Sequence, residues 1–385
     1  MSLLFLAPNP PSPRTGGGSL RMYQMVRFLG ERYDLDLVAP ALPGFEGAER
    51  LLRGSCRTME FVPPSAGGAW RRAIRLGPYE RDPALARVIH RRLASQAYIA
   101  VQVEKPAMFP YLPADTRIPI ILDTWAFGLT GAFRALRHER GISTRARNLL
   151  RLVRYSAFDA FCWPATYCIL VVSEADRQRW LRARPDRNVL VVPNGVDSAM
   201  IRPAPFRDGG PPVIVFTGDM GFTPNVEAAL LLASQIFPEV HRSYPDAELR
   251  LVGRNPDPRL LTLCGPGVTV AGEVADMIPH LHAGTLYVAP HFTGSGTRTK
   301  LLEAMAAGLP IVTTSIGIEG IEAGHDREVL IADDPAATAG AVLSLLKDPA
   351  RRRRLGEAAR RLAEERYDWS HCLAPLENLY AGSCL

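Results

Sequence analysis

Short apolar runs alternate with stretches of helical period along this chain. Leu3–Ala7 is a compact apolar run, followed by a turn-rich loop from Pro8 to Ser19 that contains Gly16-Gly17-Gly18. From Leu20 the spacing becomes helical: Leu20, Tyr23, Met25, Val26, Phe28 and Leu29 recur at mostly three- and four-residue steps. Leu35-Asp36-Leu37-Val38 then reads as a strand, and further strands are predicted at Ile99–Val103, Ile118–Leu122, Cys168–Val172 and Val189–Val192. The scheme restarts at Val213-Ile214-Val215-Phe216, followed by Gly218, a helix from about Asn225 to Phe237, and strands at Glu248–Val252, Val268–Val270 and Leu286–Ala289. A helix from Arg298 to Ala307 is expected to stop at Gly308, because Pro310 cannot continue it. Ile311-Val312 reads as one more strand, and Pro335 to Leu379 as three helices.

Strand, glycine loop, helix, strand is the opening of a doubly wound unit, and here it occurs twice. The expected fold class is α/β, with two Rossmann-like doubly wound domains facing a central cleft and joined where Pro and Gly concentrate, near Pro193–Pro205. The expected division is residues 1–195, residues 196–366, and a C-terminal helix in 367–385 that packs back on the first domain. A length of 385 residues agrees, at roughly 100–200 residues per domain. Hydrophobic residues at 47% and charged residues at 22% exclude a disordered or fibrous chain.

Charge adds less than its size suggests. The net +6 comes from 45 cations against 39 acids, and only Lys105, Lys300 and Lys347 among the cations are lysines. No nucleic-acid motif accompanies the arginines. The Arg351–Arg354 run reads as a solvated helix face. Six cysteines without a CxxC read as reduced thiols, pointing to the cytoplasm. The N-terminal apolar stretch lacks the flanks of a signal peptide, and Tyr155–Val172 is interrupted by Asp159 and Pro164, which argues against a spanning helix. Arginines at 71, 72, 75, 145, 147, 151 and 154 fall among Trp70, Leu149, Leu150, Leu152 and Val153. Such stretches fit either peripheral docking on anionic lipid at the inner membrane face or plain solvated helices.

The segment His291–Gly308, HFTGSGTRTKLLEAMAAG, carries the candidate chemistry. It follows a predicted strand and opens a helix, where ligands bind in open α/β sheets. Gly294, Ser295, Gly296 and Thr297 would expose backbone N–H groups at a helix N-terminus, an anion site. Arg298 and Lys300 oppose the helix dipole there, a conflict that an anionic ligand resolves. Glu303, one turn further in, can accept from vicinal hydroxyls as on a ribose, or can simply pair with Lys300 at i, i+3.

These segments, with TGDMGFTPN, LRLVGRNP and VVPNGVD in that order, resemble the GT-B-fold family 4 (group 1) glycosyltransferases. Leu302–Gly308 with Pro310 is the most telling piece, and Pro193–Asp197 the second. The resemblance implies a retaining transferase using a nucleotide-diphosphate sugar such as a UDP- or GDP-sugar, with the donor on the C-terminal domain and the acceptor mostly on the N-terminal one. It matches Glu303 to the glutamate that holds the donor ribose, and Gly16, Gly17 and Gly18 to the loop that approaches the donor phosphates. Gly218 joins the donor set, and Arg254 faces the same cleft or lies on the surface. Two departures stand out. Ser295 occupies the place of the family's first paired glutamate, and Gly218-Asp219-Met220-Gly221 has no cation where the family often places an arginine and a lysine. Arg298 and Lys300 are then the expected catalytic cations, neutralising the diphosphate.

No cofactor or metal is expected. Asp34-Leu35-Asp36 lies on a predicted strand, and His280-x-His282 lacks a zinc-type partner. Asp123, Trp125 and Phe127 follow the strand Ile118–Leu122 and are the acceptor-side candidates, the two aromatics serving equally well as packing. The expected activity is sugar transfer to a lipid-linked, polysaccharide or small-molecule acceptor. A non-catalytic sugar-nucleotide-binding subunit, suggested by Ser295, or a sugar-nucleotide epimerase are the alternatives.

Overall fold

The computed structural model describes residues 1–13, 16–45, 47–65, 82–124, 149–150, 153, 166–203, 206, 208–294 and 296–381. The chain divides into two compact units, Met1–Pro193 with Leu373–Leu385, and Asn194–Cys372.

The first unit is built on a parallel sheet of β1 (Ser2–Leu6), β2 (Asp34–Pro40), β3 (Thr58–Val62), β4 (Ala100–Glu104), β5 (Ile120–Thr124), β6 (Thr166–Val171) and β7 (Val189–Val191), in the order β3-β2-β1-β4-β5-β6-β7. Parallel strands covered on both faces need near-continuous apolar runs, and Leu3–Leu6 and Ile120–Leu122 supply them, each residue almost fully buried. Four described helices flank it: α1 (Gly17–Gly30), α2 (Ala48–Leu51), α3 (Pro83–Ser95) and α4 (Glu174–Ala183). Asp82 caps α3 by accepting from Ala84 N at 2.7 Å, and Ser173 caps α4 by accepting from Asp176 N at 3.1 Å. Across this core runs a buried polar chain. Arg21, fully buried on α1, donates to both Asp123 oxygens at 2.7 and 2.9 Å and to the Pro193 carbonyl at 3.0 Å.

The second unit carries β8 (Val213–Thr217), β9 (Glu248–Val252), β10 (Val268–Gly272), β11 (Leu286–Ala289), β12 (Ile311–Thr313) and β13 (Val329–Ile331), parallel, in the order β10-β9-β8-β11-β12-β13. Its described helices are α5 (Thr223–Leu231), α6 (Phe237–Ser243), α7 (Pro258–Leu261), α8 (Ile278–His282), α9 (Thr299–Ala306), α10 (Pro335–Lys347), α11 (Pro349–Arg366) and α12 (Trp369–Leu373); α13 (Pro375–Tyr380) returns to the first unit.

Several elements depart from the sequence pattern for identifiable reasons. β3 and β13 escape it, one because Thr58–Val62 mixes polar with apolar residues on an edge strand, the other because it is three residues long. The helix expected over 225–237 spans more residues but is broken by a π turn at Leu232–Ile236. Pro238 has no N–H for the carbonyl one turn back, and the π turn takes up the register. Pro335–Leu379 holds the helices α10 to α12 and most of α13, separated at Pro349 and Pro375. The Arg351–Arg354 run is not a plain solvated face. Arg352 is buried and donates to the last-turn carbonyls of α10, Leu345 and Leu346, at 2.8 Å each, while Arg351 and Arg354 share Asp326. Cations at a helix C-terminus complement its dipole. Of Tyr155–Val172, Thr166–Val171 is strand β6 and 155–165 lie outside the described residues. Among the described residues no helix is long and apolar enough to cross a membrane.

The second chain crossing falls later than expected because Tyr367–Ser370 are bound to the start of the second unit. Val196 N donates to Tyr367 O at 2.7 Å, and the Asp368 carboxylate accepts from the Ser198 backbone N–H at 3.1 Å.

Breaking the buried Arg21–Asp123 pair from one side strands a charge in the core. Arg21→Met or Asp123→Leu should each lower unfolding free energy by about 3–5 kcal/mol, and the double replacement Arg21→Met/Asp123→Leu by clearly less than the sum. Urea titration of the three variants checks this, and near-neutral single variants would refute it.

Candidate functional site

In the second unit the chain starts in the middle of the sheet at β8, runs outward through β9 and β10, then returns to the other side at β11. The crevice beyond the carboxyl ends of β8 and β11 is therefore the switch point, where open α/β sheets bind ligands. Two loops form it, Gly218–Phe222 after β8 and Pro290–Arg298 after β11.

The first loop is tied to the end of β9. Gly253 has φ +153°, and a Cβ there would meet the Gly218 carbonyl oxygen at 1.6 Å, so glycine is required for the two backbones to pass. Asp219 accepts from Arg254 Nε at 2.9 Å through Oδ2 and from Gly221 N at 3.1 Å through Oδ1. Met220 N donates to Arg254 O at 2.8 Å. The loop has no cation in its own sequence, yet Arg254 is clasped to it. Of the two sequence readings of Arg254, the structure shows a half-buried guanidinium at this strand end.

Asn225, in the first turn of α5, joins the loops. Its amide NH2 donates to Asp219 O at 3.0 Å, leaving its carbonyl to accept from His291 Nε2 at 3.1 Å. That hydrogen bond places the imidazole proton on Nε2. Nδ1 makes no hydrogen bond among the described residues. His291 is 4% exposed, with the Phe216 ring 5.5 Å away. Burial, then the nearby Arg298 charge, push its pKa down to about 3, a little offset by the Ala289 carbonyl. His291 is a neutral spacer.

Arg298 is the N-cap of α9, which has no side-chain cap and no acid in its first turn. Its guanidinium folds back over Gly294, donating to Thr293 O at 2.9 Å. Thr293 in turn donates to Glu227 on α5 at 2.7 Å, a second bridge between the loops. Lys300 Nζ reaches both Glu303 oxygens, at 2.8 and 3.0 Å, with the lysine 38% and the glutamate 14% exposed. The i, i+3 pairing left open by the sequence is thus present, on the same turn as Arg298.

The remaining candidates are distributed as follows. Gly296 and Thr297 lie between Thr293 and α9 as expected, and Ser295 lies outside the described residues. Gly16, with Gly17 and Gly18 behind it, caps α1 in the first unit. Asp123 ends β5 fully buried, its carboxylate held by Arg21 rather than turned to solvent. Trp125 and Phe127 lie outside the described residues. Asp36 is buried and holds Thr58 at 2.7 Å and Tyr98 at 2.8 Å. Asn225, Asp219 and the role of His291 escaped sequence reading, because each acts through a partner 35 to 66 positions away.

Residues 211–348, which contain both loops and α9, match the family model described as glycosyl transferases group 1. The chain has the GT-B fold, and residues 211–348 are similar to group 1 glycosyltransferases. A phosphatidyl-myo-inositol mannosyltransferase from Mycolicibacterium smegmatis is 31% identical over 222 residues, 55% of this chain and 56% of that protein. The chain thus spans about half the length of the curated relatives it matches. Similar solved structures include sucrose-phosphate synthase from Thermosynechococcus elongatus, with TM-score 0.74 at 16% identity, covering 99% of this chain and 98% of that one. HepE from Anabaena, solved with UDP and glucose, superposes with TM-score 0.67 at 15% identity over 99% of each chain.

Two outcomes follow for this unit. Gly253→Ala forces the β8 and β9 ends apart and should cost at least about 2 kcal/mol of stability, read by urea unfolding. His291 is held neutral when folded but protonates near pH 6.5 when unfolded, so folding stability falls as pH drops from about 6.5 toward about 3. His291→Gln should flatten that fall. The stability gap between wild type and variant is expected to shrink from pH 7 to pH 4.5, and a constant gap refutes the assignment.

Proposed function

We propose that this chain is a retaining glycosyltransferase that moves a sugar from a nucleotide-diphosphate sugar to a lipid-linked, polysaccharide or small-molecule acceptor. The observation that carries the reading is the placement of Arg298, Lys300 and Glu303 together at the uncapped positive end of α9, beside the switch point of the second sheet. A diphosphate supplies the negative charge that two cations and a helix N-terminus otherwise lack.

Each residue then has a task. Arg298 and Lys300 neutralise the diphosphate as the bond from the sugar C1 to the phosphate oxygen breaks and negative charge grows on the leaving group. Preorganised donors of this kind are worth about 3–4 kcal/mol each in comparable oxyanion sites. The acceptor oxygen bonds to C1 on the face the diphosphate leaves, and its proton passes to the departing phosphate oxygen. Glu303 accepts from the vicinal ribose hydroxyls. Lys300 is on a long flexible stem and more than a third exposed, so it can leave Glu303 for the phosphate while the ribose takes its place. His291 stays uncharged beneath Arg298, keeping that guanidinium turned to the loop. No protein nucleophile and no metal are called upon.

The names of similar proteins support the substrate classes. One relative is a mannosyltransferase acting on phosphatidyl-myo-inositol, and HepE was solved with UDP and glucose, which favours a UDP- or GDP-sugar donor and a lipid-linked acceptor. Leu149, Leu150 and Val153 are each more than half exposed within the arginine-rich segment, which suits a cytoplasmic protein resting on anionic lipid at the inner membrane face.

Calorimetric titration with UDP- and GDP-sugars tests the proposal, and an absence of binding by any nucleotide sugar would sink it. Donor binding without turnover across an acceptor panel would make the chain a non-catalytic subunit instead. Arg298→Ala and Lys300→Ala should each weaken UDP or GDP about 10- to 100-fold and the free nucleoside hardly at all. Glu303→Gln should weaken nucleoside and nucleotide alike. Equal losses of nucleoside and nucleotide in the two cation variants would reject their phosphate role.

A further inference from the structure

Two carboxyl groups and a single guanidinium share one buried site in the first unit. Glu104 ends β4 and stands level with Asp123 of β5 in the parallel register, so both side chains leave the sheet on the same face. Arg21 of α1 covers that face, and Tyr380 of α13 reaches it through Gln102, two residues before Glu104. All five side chains are almost completely buried.

The hydrogen bonds fix which atom does what. The Tyr380 hydroxyl donates to Gln102 Oε1. That turns the Gln102 NH2 toward Glu104, where it donates to Oε1 at 2.9 Å. No donor reaches Glu104 Oε2 among the described residues. The group it meets is the Asp123 carboxylate, which as an ion is also an acceptor only. Two acceptors in contact need a hydrogen between them.

Charge counting gives the same answer. The Arg21 guanidinium is committed to Asp123 through both carboxylate oxygens, at 2.7 and 2.9 Å. Among the described residues no cation forms an ion pair with Glu104, neither Arg21 nor the adjacent Lys105, which burial makes less basic. The other titratable groups nearby are Tyr380, Tyr33 with its ring 5.8 Å from that of Tyr380, and Cys168 of β6, and none of them brings a positive charge. An ionised Glu104 would be a second negative charge out of water and without a cation, which is strongly unfavourable. Burial above all, then the Asp123 charge, push the Glu104 carboxyl well above the usual carboxylate range, against the smaller pull of Gln102 and Arg21. Burial raises Tyr380 too, so its hydroxyl stays a donor.

We infer that the folded chain holds a proton between Glu104 and Asp123 at neutral pH, and that this proton is a pH-sensitive lock on the first unit. With it the hydrogen-bond path between α13 and α1 has no gap: Tyr380 donates to Gln102, Gln102 to Glu104, Glu104 to Asp123, and Arg21 to Asp123 from the other side. An unfolded glutamic acid releases its proton at about pH 4.3, so above that pH the folded state binds a proton that the unfolded state has lost. The stability from this group is therefore complete below about pH 4.3 and declines as pH rises, opposite in sign to the His291 contribution.

Glu104→Gln tests the lock in the full chain, because an amide NH2 donates to Asp123 as the acid hydroxyl does but cannot ionise. Urea titrations of wild type and variant give their unfolding equilibrium constants, with His291 and every other group common to both. The wild-type constant should grow relative to that of Glu104→Gln by up to about tenfold per pH unit from about pH 5 to about pH 8. A ratio that stays constant, or that falls with pH, overturns the inference. Infrared spectroscopy of the wild type decides independently, should the variant not fold. At about pH 7.5, above the usual carboxylate range, the folded chain should keep a protonated-carboxyl C=O band that shifts on isotope labelling of glutamate. Absence of that band also overturns the inference.

Discussion

The hydrogen bond from His291 to Asn225 joins the two loops between which the second sheet reverses direction. Asn225 is held by Asp219, and Asp219 by Arg254, so one amide side chain connects the ends of β8, β9 and β11. The imidazole that makes it is held neutral, because a second cation beside Arg298 would be both desolvated and repelled. On this frame rests the loop that Arg298 gathers over Gly294, and from it α9 starts with its N–H groups uncapped.

Three arginines fill roles that a lysine could not. Arg21 binds a buried carboxylate with two parallel hydrogen bonds, Arg352 closes the last turn of α10, and Arg360 reaches the carbonyls of Ser198, Ile201 and Ala306 together. Each of these uses a planar, multi-donor head that an ammonium cannot imitate. Arg360 ties the linker and the end of α9 to α11, so the helix bearing Glu303 is braced at its C-terminal end. Lys300 has the opposite character, a single mobile charge that can change partners, and it stands where a partner is expected to change.

Much of the fold is legible in the sequence. Buried parallel strands must be apolar almost throughout, and the dense runs at Leu3–Leu6, Val213–Phe216 and Leu286–Ala289 announce themselves for that reason. Edge strand β3 did not, since one solvated face dilutes its pattern, and the π turn at Leu232–Ile236 left no local mark except Pro238. At the site, the cluster Arg298, Lys300 and Glu303 was readable because all three residues sit within one and a half helical turns. The Asp219–Arg254 clasp was not, and the loop without a cation looked barer in sequence than it is in the folded unit. Arg351–Arg354 erred the other way, a charge run whose second member is buried against carbonyls.

The sequence by itself determined the two doubly wound units, the glycine-rich turn into α9 and the charges at its start, because periodicity and local spacing carry that information within a few residues. Only the tertiary structure decided which charges are free to meet a ligand and which are held by the protein. Asp123 belongs to Arg21, Arg254 to Asp219, and Glu303 to Lys300. Pairings over tens of residues depend on strand order and on which side chains close packing leaves beside each other, and no local pattern encodes either.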